Sequence, residues 1–211
     1  MTLELESRPD PGAAARRAAE VLAERADAAS GPSSLALSRG DGELLTALAG
    51  RLPWGLVTVY QVDERVAPAG SEDRNATELL VTLPRDRLRL MPVDEPNLEA
   101  AASAYADELP ETLDVVHLGL GPDGHTASLV PGDPVLDVHD RSVAVTDVYR
   151  GYRRITLTYS ALDSAGAIVW LVTGEGKRDV LRRLLDGDTS LPAARIANPN
   201  QLVVADVAAT G

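Results

Sequence analysis

No cysteine occurs among the 211 residues. That absence removes disulfides, thiolate nucleophiles, Cys-ligated zinc and iron–sulfur clusters together, and it suits a reducing cytosol. No stretch approaches the ~20 apolar residues of a membrane-spanning helix. The opening Met1-Thr2-Leu3-Glu4-Leu5-Glu6 carries two acids and no apolar core, so no signal peptide is expected. Histidine is scarce: His117, His125 and His139 lack the spacing of a zinc-binding helix, and no metal is expected. Positive charge is also short. Twenty Lys and Arg face 32 Asp and Glu, for a net charge of −12. That balance argues against a nucleic-acid partner and repels an anionic ligand at long range. A phosphate site would have to be built locally, from a few Arg, Lys and backbone N–H groups. What remains, 45% hydrophobic and 25% charged residues, fits a globular protein long enough for a sizeable core. One domain over 1–211 is the simplest reading.

Short β-branched runs alternate with longer Ala/Leu/Arg runs. Helices are expected over 11–30, 43–52, 75–83, 97–109 and 176–185, with a short one over 162–165. Asp73-Arg74-Asn75 is placed to cap the third, since Asp and Asn accept from free N–H groups of a first turn. Strands are expected over 34–38, 56–62, 88–93, 113–118, 142–148, 154–158, 167–173 and 202–205. The run Ala167-Ile168-Val169-Trp170-Leu171-Val172-Thr173 is apolar throughout, as in a strand buried on both faces. The alternation implies an α/β fold: a mostly parallel sheet with helices on both faces. Ligands of such sheets bind beyond the carboxyl ends of the strands, so the strand-to-helix loops are the places to look.

Gly119-Leu120-Gly121-Pro122-Asp123-Gly124-His125 is the richest loop. Its glycines match G-x-G-x-x-G, yet the match lies past the middle of the chain and carries a Pro and a following His unusual for a dinucleotide turn. The other reading is close backbone approach to a small ligand, with Asp123 and His125 projecting into the site. His125 is suited to take and return a proton near neutrality. His117 lies inside a strand and fits packing or a structural hydrogen bond; His139 fits exposed surface. Asp63-Glu64-Arg65 ends a strand and could orient a polar substrate, supply a base, or form a local ion pair. Ser38-Arg39-Gly40-Asp41-Gly42 precedes a helix whose free N–H groups suit phosphate. Lys177, in Gly174-Glu175-Gly176-Lys177, stands at a helix start, where a cation opposes the helix dipole; phosphate contact would explain it, as would an ordinary surface lysine. Arg153-Arg154 precede a strand and offer bidentate anion recognition.

Asp123-Gly124-His125-Thr126-Ala127-Ser128-Leu129-Val130-Pro131, preceded by Gly119-Leu120-Gly121-Pro122, closely resembles the signature of 6-phosphogluconolactonases. Leu35 to Gly42, Asp63-Glu64-Arg65-Val66, Arg154-Ile155-Thr156-Leu157-Thr158 and Val172-Thr173-Gly174-Glu175-Gly176-Lys177 fall in that family's order. The resemblance spans about residues 11–206. Glucosamine-6-phosphate deaminases share the Asp-Gly-His but usually continue Ile-Ala-Phe-Asn-Glu; Thr126-Ala127-Ser128-Leu129 is similar to the lactonases. Arg39 and Asp41 stand where the family usually has Gly and a hydroxyl residue. Leu202-Val203-Val204-Ala205-Asp206 lacks the family's usual Trp.

The resemblance implies a Rossmann-like fold and hydrolysis of 6-phosphogluconolactone to 6-phosphogluconate in the cytoplasm, without metal or organic cofactor. The substrate would be the sole partner implied, with neither nucleic acid nor membrane. His125 would be the general base. Asp123 or Asp63 would orient it or the sugar hydroxyls. Arg154 and Lys177 would hold the phosphate, helped by Ser38, Arg39 and Gly40, with Arg153 a weaker candidate. Gly121, other amides of residues 121–124, or the Arg65 side chain would stabilise the oxyanion. The alternatives are an isomerase/deaminase of the glucosamine-6-phosphate type and a non-catalytic sugar-phosphate-binding protein.

Overall fold

The computed structural model describes residues 3–28, 31–39 and 42–211. Seven strands form one parallel sheet in the order β1-β10-β9-β6-β2-β3-β5. They are β1 (Glu4–Arg8), β2 (Ser33–Leu37), β3 (Val57–Gln61), β5 (Leu88–Arg89), β6 (Val115–Gly119), β9 (Ile168–Val172) and β10 (Gln201–Asp206). Helices α1 (Pro11–Asp27), α2 (Gly42–Ala49) and α3 (Asn75–Thr82) pack on one face. Helices α4 (Leu98–Glu108), α5 (Tyr159–Asp163) and α6 (Arg178–Leu185) pack on the other, and α7 (Val207–Thr210) closes the described chain.

Two buried clusters follow from strand geometry, because successive side chains point to opposite faces. Ile168, Trp170 and Val172 of β9 join the α4–α6 cluster, and Val169 joins the α1–α3 cluster. Val203 and Ala205 of β10 divide from Leu202 and Val204 in the same way. Helix α1 starts on the Asp10 carboxylate, which accepts from Ala13 N at 2.7 Å, with Pro11 in its first turn.

The order of strands fixes where a ligand can sit. From β2 the chain steps outward to β3 and β5; from β6 it steps the other way to β9 and β10. The switch point therefore lies between β2 and β6, whose carboxyl ends bring Ser38 and Gly119 side by side. Ser38 N donates to His117 O there, at 3.3 Å. A crevice at such a point is the expected binding place in an open parallel sheet.

Several expectations are corrected. Residues 142–148 and 154–158 give β7 (Val143–Val145) and β8 (Arg154–Leu157), and these leave the main sheet. They form an antiparallel three-stranded sheet with β4 (Asp63–Arg65), read from sequence as a loop. The expected strand over 88–93 shrinks to Leu88–Arg89 beside Pro92. The short helix lies at Tyr159–Asp163 rather than 162–165. Glu4–Arg8, not anticipated, is an edge strand.

Candidate active site

A cavity of about 300 Å³ opens at the β2/β6 switch point, and a smaller lobe of about 50 Å³ adjoins it. Both lobes are lined by Asp63, Arg65, His125, Ala127 and Arg150. Ser38, Arg39, Asn75, Gly121 and Lys177 also line the larger lobe; Tyr149, Ser128 and Arg154 also line the smaller. Five cationic side chains thus converge on one crevice of a protein with net charge −12. Converging guanidinium and ammonium groups suit an anionic ligand.

The loop after β6 is folded around its histidine. Gly121 N donates to His125 O at 2.8 Å, and Gly124 N to Gly121 O at 3.0 Å. The His125 ring lies over Gly121: a Cβ there would overlap it, 2.7 Å from Cγ. Gly124 adopts φ +82°, and a Cβ on it would stand 2.6 Å from Leu191 Cδ2. Both glycines are thus demanded by close approach, one also by its left-handed backbone. Thr126 Oγ1 donates to Gly119 O at 2.9 Å and ties the far end of the loop back to β6.

Asp123 stands behind the imidazole rather than in the cavity wall. Its Oδ1 lies 2.5 Å from His125 Nδ1, and its Oδ2 accepts from the Tyr149 hydroxyl at 2.8 Å. Partial burial works against the Asp123 charge, but the bonds from His125 and Tyr149 outweigh it and hold the carboxyl down at about 2. With a carboxylate at Nδ1, that nitrogen carries the proton and Nε2 is the basic one. Asp63 is engaged elsewhere. It accepts from Ser128 Oγ at 2.5 Å and from Asn75 Nδ2 at 3.1 Å, and it supports the charge of Arg154.

Lys177 Nζ donates to Leu120 O at 2.6 Å, which points the ammonium into the larger lobe. Burial lowers its pKa, and nearby Asp123 pulls the other way. Arg154 is buried, its Nη1 without a hydrogen-bond partner among the described residues, and burial likewise pushes its pKa down. Arg65 Nη1 donates to Asp73 O at 2.8 Å. Arg39 sits 3.5 Å from Glu78.

Relatives decide the family. The model of the glucosamine-6-phosphate isomerases/6-phosphogluconolactonase family matches residues 9–205. The chain belongs to that family. A 6-phosphogluconolactonase of Rattus norvegicus is 34% identical over 183 residues, which cover 79% of this chain and 71% of that protein. The crystal structure of a 6-phosphogluconolactonase from Shewanella baltica superposes with a TM-score of 0.83 at 26% identity, over 97% of both chains. A monomeric glucosamine-6-phosphate deaminase superposes with a TM-score of 0.86 over 98% of both chains, at 17% identity. That last likeness shows the fold alone.

On this family scaffold, the structure gathers Ser38, Arg39, Asp63, Arg65, Gly121, His125 and Lys177 around one cavity, with Arg154 in the adjoining lobe. Gly40 and Asp41 lie outside the described residues. Arg153 turns aside: its Nε donates to Thr146 O at 3.3 Å and its Nη2 is 3.9 Å from Glu99. His117 is buried beside Ser38 Oγ, and His139 is exposed, stacked on Tyr159. Sequence reasoning missed Asn75, Ser128, Tyr149 and Arg150. The available signal was Gly151, which permits a tight hairpin at Tyr149-Arg150-Gly151-Tyr152. Arg150 at φ 50° and Gly151 at φ 88° form its tip, delivered by β7 and β8.

Proposed function

We propose that the protein hydrolyses 6-phospho-D-glucono-1,5-lactone to 6-phosphogluconate with His125 as general base. The observation that carries this reading is the Asp123–His125 pair at the carboxyl end of β6, facing a cavity ringed by cations. Family membership supports the substrate, since the relative from rat is a 6-phosphogluconolactonase. The continuation Thr126-Ala127-Ser128-Leu129 favours the lactonase branch over the deaminases.

His125 Nε2 takes a proton from a water as its oxygen attacks the lactone carbonyl carbon. The carbonyl electrons move onto oxygen, giving a tetrahedral oxyanion. The amides of Gly121 and Gly124 are committed within the loop and Pro122 has no N–H, so the oxyanion donors are the Asp123 amide and the Arg65 guanidinium, whose Nη1 already donates to Asp73 O. One such fixed donor contributes about 3–4 kcal/mol to a transition state of this kind. Collapse restores the carbonyl, breaks the bond to the ring oxygen, and returns the proton from His125 to that oxygen. Asp123 holds the ring and stabilises its cationic form. Asp63 positions Ser128 and Asn75 at the wall. Lys177 and Arg154 bind the phosphate dianion, with Ser38 and Arg39 at the mouth. No metal or organic cofactor is required by this scheme. The enzyme acts as one domain over 1–211, in the cytoplasm, where a cysteine-free chain is at home, and takes neither nucleic acid nor membrane as partner.

The test is hydrolysis of the lactone generated in place, corrected for its spontaneous opening, by wild type and His125→Ala. Loss of a general base should reduce kcat by ~10²–10⁴. Wild-type kcat in the variant would remove His125 as base. A folded wild type that does not accelerate hydrolysis would overturn the assignment, and ammonia release from glucosamine 6-phosphate, or saturable 6-phosphogluconate binding without turnover, would replace it.

A further inference from the structure

Tyr149 touches both the Asp123–His125 pair and two of the crevice's cations. Its hydroxyl donates to Asp123 Oδ2 at 2.8 Å, on the oxygen that His125 does not use. Its ring stands 5.7 Å from the His125 ring at an interplanar angle of 65°. The guanidinium carbons of Arg150 and Arg154 each lie 5.0 Å from its centroid. An aromatic face attracts such cations, by roughly 0.5–2 kcal/mol depending on desolvation. The side chain arrives from the β7–β8 hairpin, whose Tyr149 and Tyr152 pair across the turn. Tyr152 is anchored in turn by donating to Asp73 Oδ2 at 2.9 Å. A carboxylate with one oxygen on a phenol and the other on an imidazole cannot swing about its Cβ–Cγ bond without breaking one of the two.

We propose that Tyr149 is a positioning residue: its hydroxyl locks Asp123, and through it His125, while its ring holds the Arg150 and Arg154 guanidiniums toward the substrate's anionic group. It joins the proton-transfer pair to the anion-binding cations. The two functions reside in different atoms, so they separate by substitution. The inference rests on the lactonase reading for its kinetics but not for its geometry.

Three variants and one spectroscopic measurement test it. Tyr149→Phe keeps the ring and loses the hydroxyl; kcat should fall about tenfold with KM within twofold of wild type. In an Asp123→Ala background the same change should have no further effect, because the bond it removes is already gone. A residue of merely structural value would lower activity equally in both backgrounds. Tyr149→Leu loses the ring as well, and KM for the phosphorylated lactone should rise severalfold above that of Tyr149→Phe. Imidazole ¹⁵N shifts of neutral His125 should report the Nδ1–H form in wild type and a mixture of tautomers in Tyr149→Phe. Unchanged kcat and an unchanged tautomer in Tyr149→Phe would overturn the proposal, as would a full loss persisting in the Asp123→Ala background. If wild type opens no lactone, the functional reading fails, and the tautomer measurement still decides the role of Tyr149.

Discussion

Replacing Glu64 by Gln should unfold this protein far more readily than a one-atom change suggests. Glu64 is 1% exposed and accepts four hydrogen bonds. Oε1 takes Arg65 N at 2.9 Å and Asn75 N at 2.8 Å; Oε2 takes Gln61 Nε2 at 2.7 Å and Ala76 N at 2.8 Å. Two of those donors are the first amides of α3, so this carboxylate caps a helix eleven residues downstream. A glutamine amide can accept on one side only. Its NH₂ would face two N–H donors, and two buried donors would lose their partner. At ~1–3 kcal/mol for each unsatisfied group, with the loss of a cap included, the cost is about 3–5 kcal/mol. For a chain of this length that lowers Tm by roughly 6–20 °C, at ~2–4 °C per kcal/mol. Urea unfolding followed by far-UV circular dichroism would measure it, with the exposed Glu72→Gln as control, expected within ~0.5 kcal/mol of wild type. A Glu64→Gln protein within 1 kcal/mol of wild type would refute the cap argument.

Gly121→Ala should leave the fold intact, since the Gly121 backbone is not left-handed, but its methyl would displace the His125 ring; kcat should drop by ~10²-fold or more with an unchanged dichroism spectrum, and wild-type kcat would sink the close-approach argument. Asp123 supplies an acid-dependent term. Its folded pKa of about 2 lies below the unfolded value of ~3.9, so its contribution is present above pH ~4 and disappears as pH falls toward 2. Solvent screening keeps that contribution small for a side chain 35% exposed. The stability gap between wild type and Asp123→Asn should close across that window, and a gap constant from pH 6 to pH 2 would contradict the assignment.

Much of the main sheet was legible because its strands are apolar runs bounded by turn residues. Ile168–Val172 and Val115–Gly119 are of this kind. The longer helices α1, α4 and α6 each bury an apolar face; the four-residue α7, which buries only Ala209, was not anticipated. Asp63–Arg65 was not legible. Three charged residues have no periodicity, and only pairing with Arg154–Thr156 makes them a strand. Glu4–Arg8 escaped for a similar reason: it is a charged edge strand, the kind that resists pairing with other chains. Helix α3 does start at Asp73-Arg74-Asn75 as expected, with Arg74 at the cap position, but neither the Asp73 nor the Asn75 side chain accepts from its first turn. Asp73 sits at the right spacing, but its carboxylate accepts from Tyr152 and Ser71, while Glu64 reaches the helix through space. In the crevice, the loop after β6 was readable because its glycines and histidine are contiguous. Tyr149 and Arg150 were not, since they reach the site on a hairpin of a second sheet that the sequence pattern did not separate from the first.

That division of labour between two sheets has a consequence for variation. The hairpin closes on itself, with Tyr149 N bonded to Tyr152 O at 3.0 Å and Tyr152 N to Tyr149 O at 3.3 Å. None of its tip residues belongs to either buried cluster. Arg150, at the tip between the two anchored tyrosines, is therefore the position where evolution or a mutant library can rewrite the rim that meets the ligand while Tyr149, the histidine loop and the seven-stranded frame stay as they are.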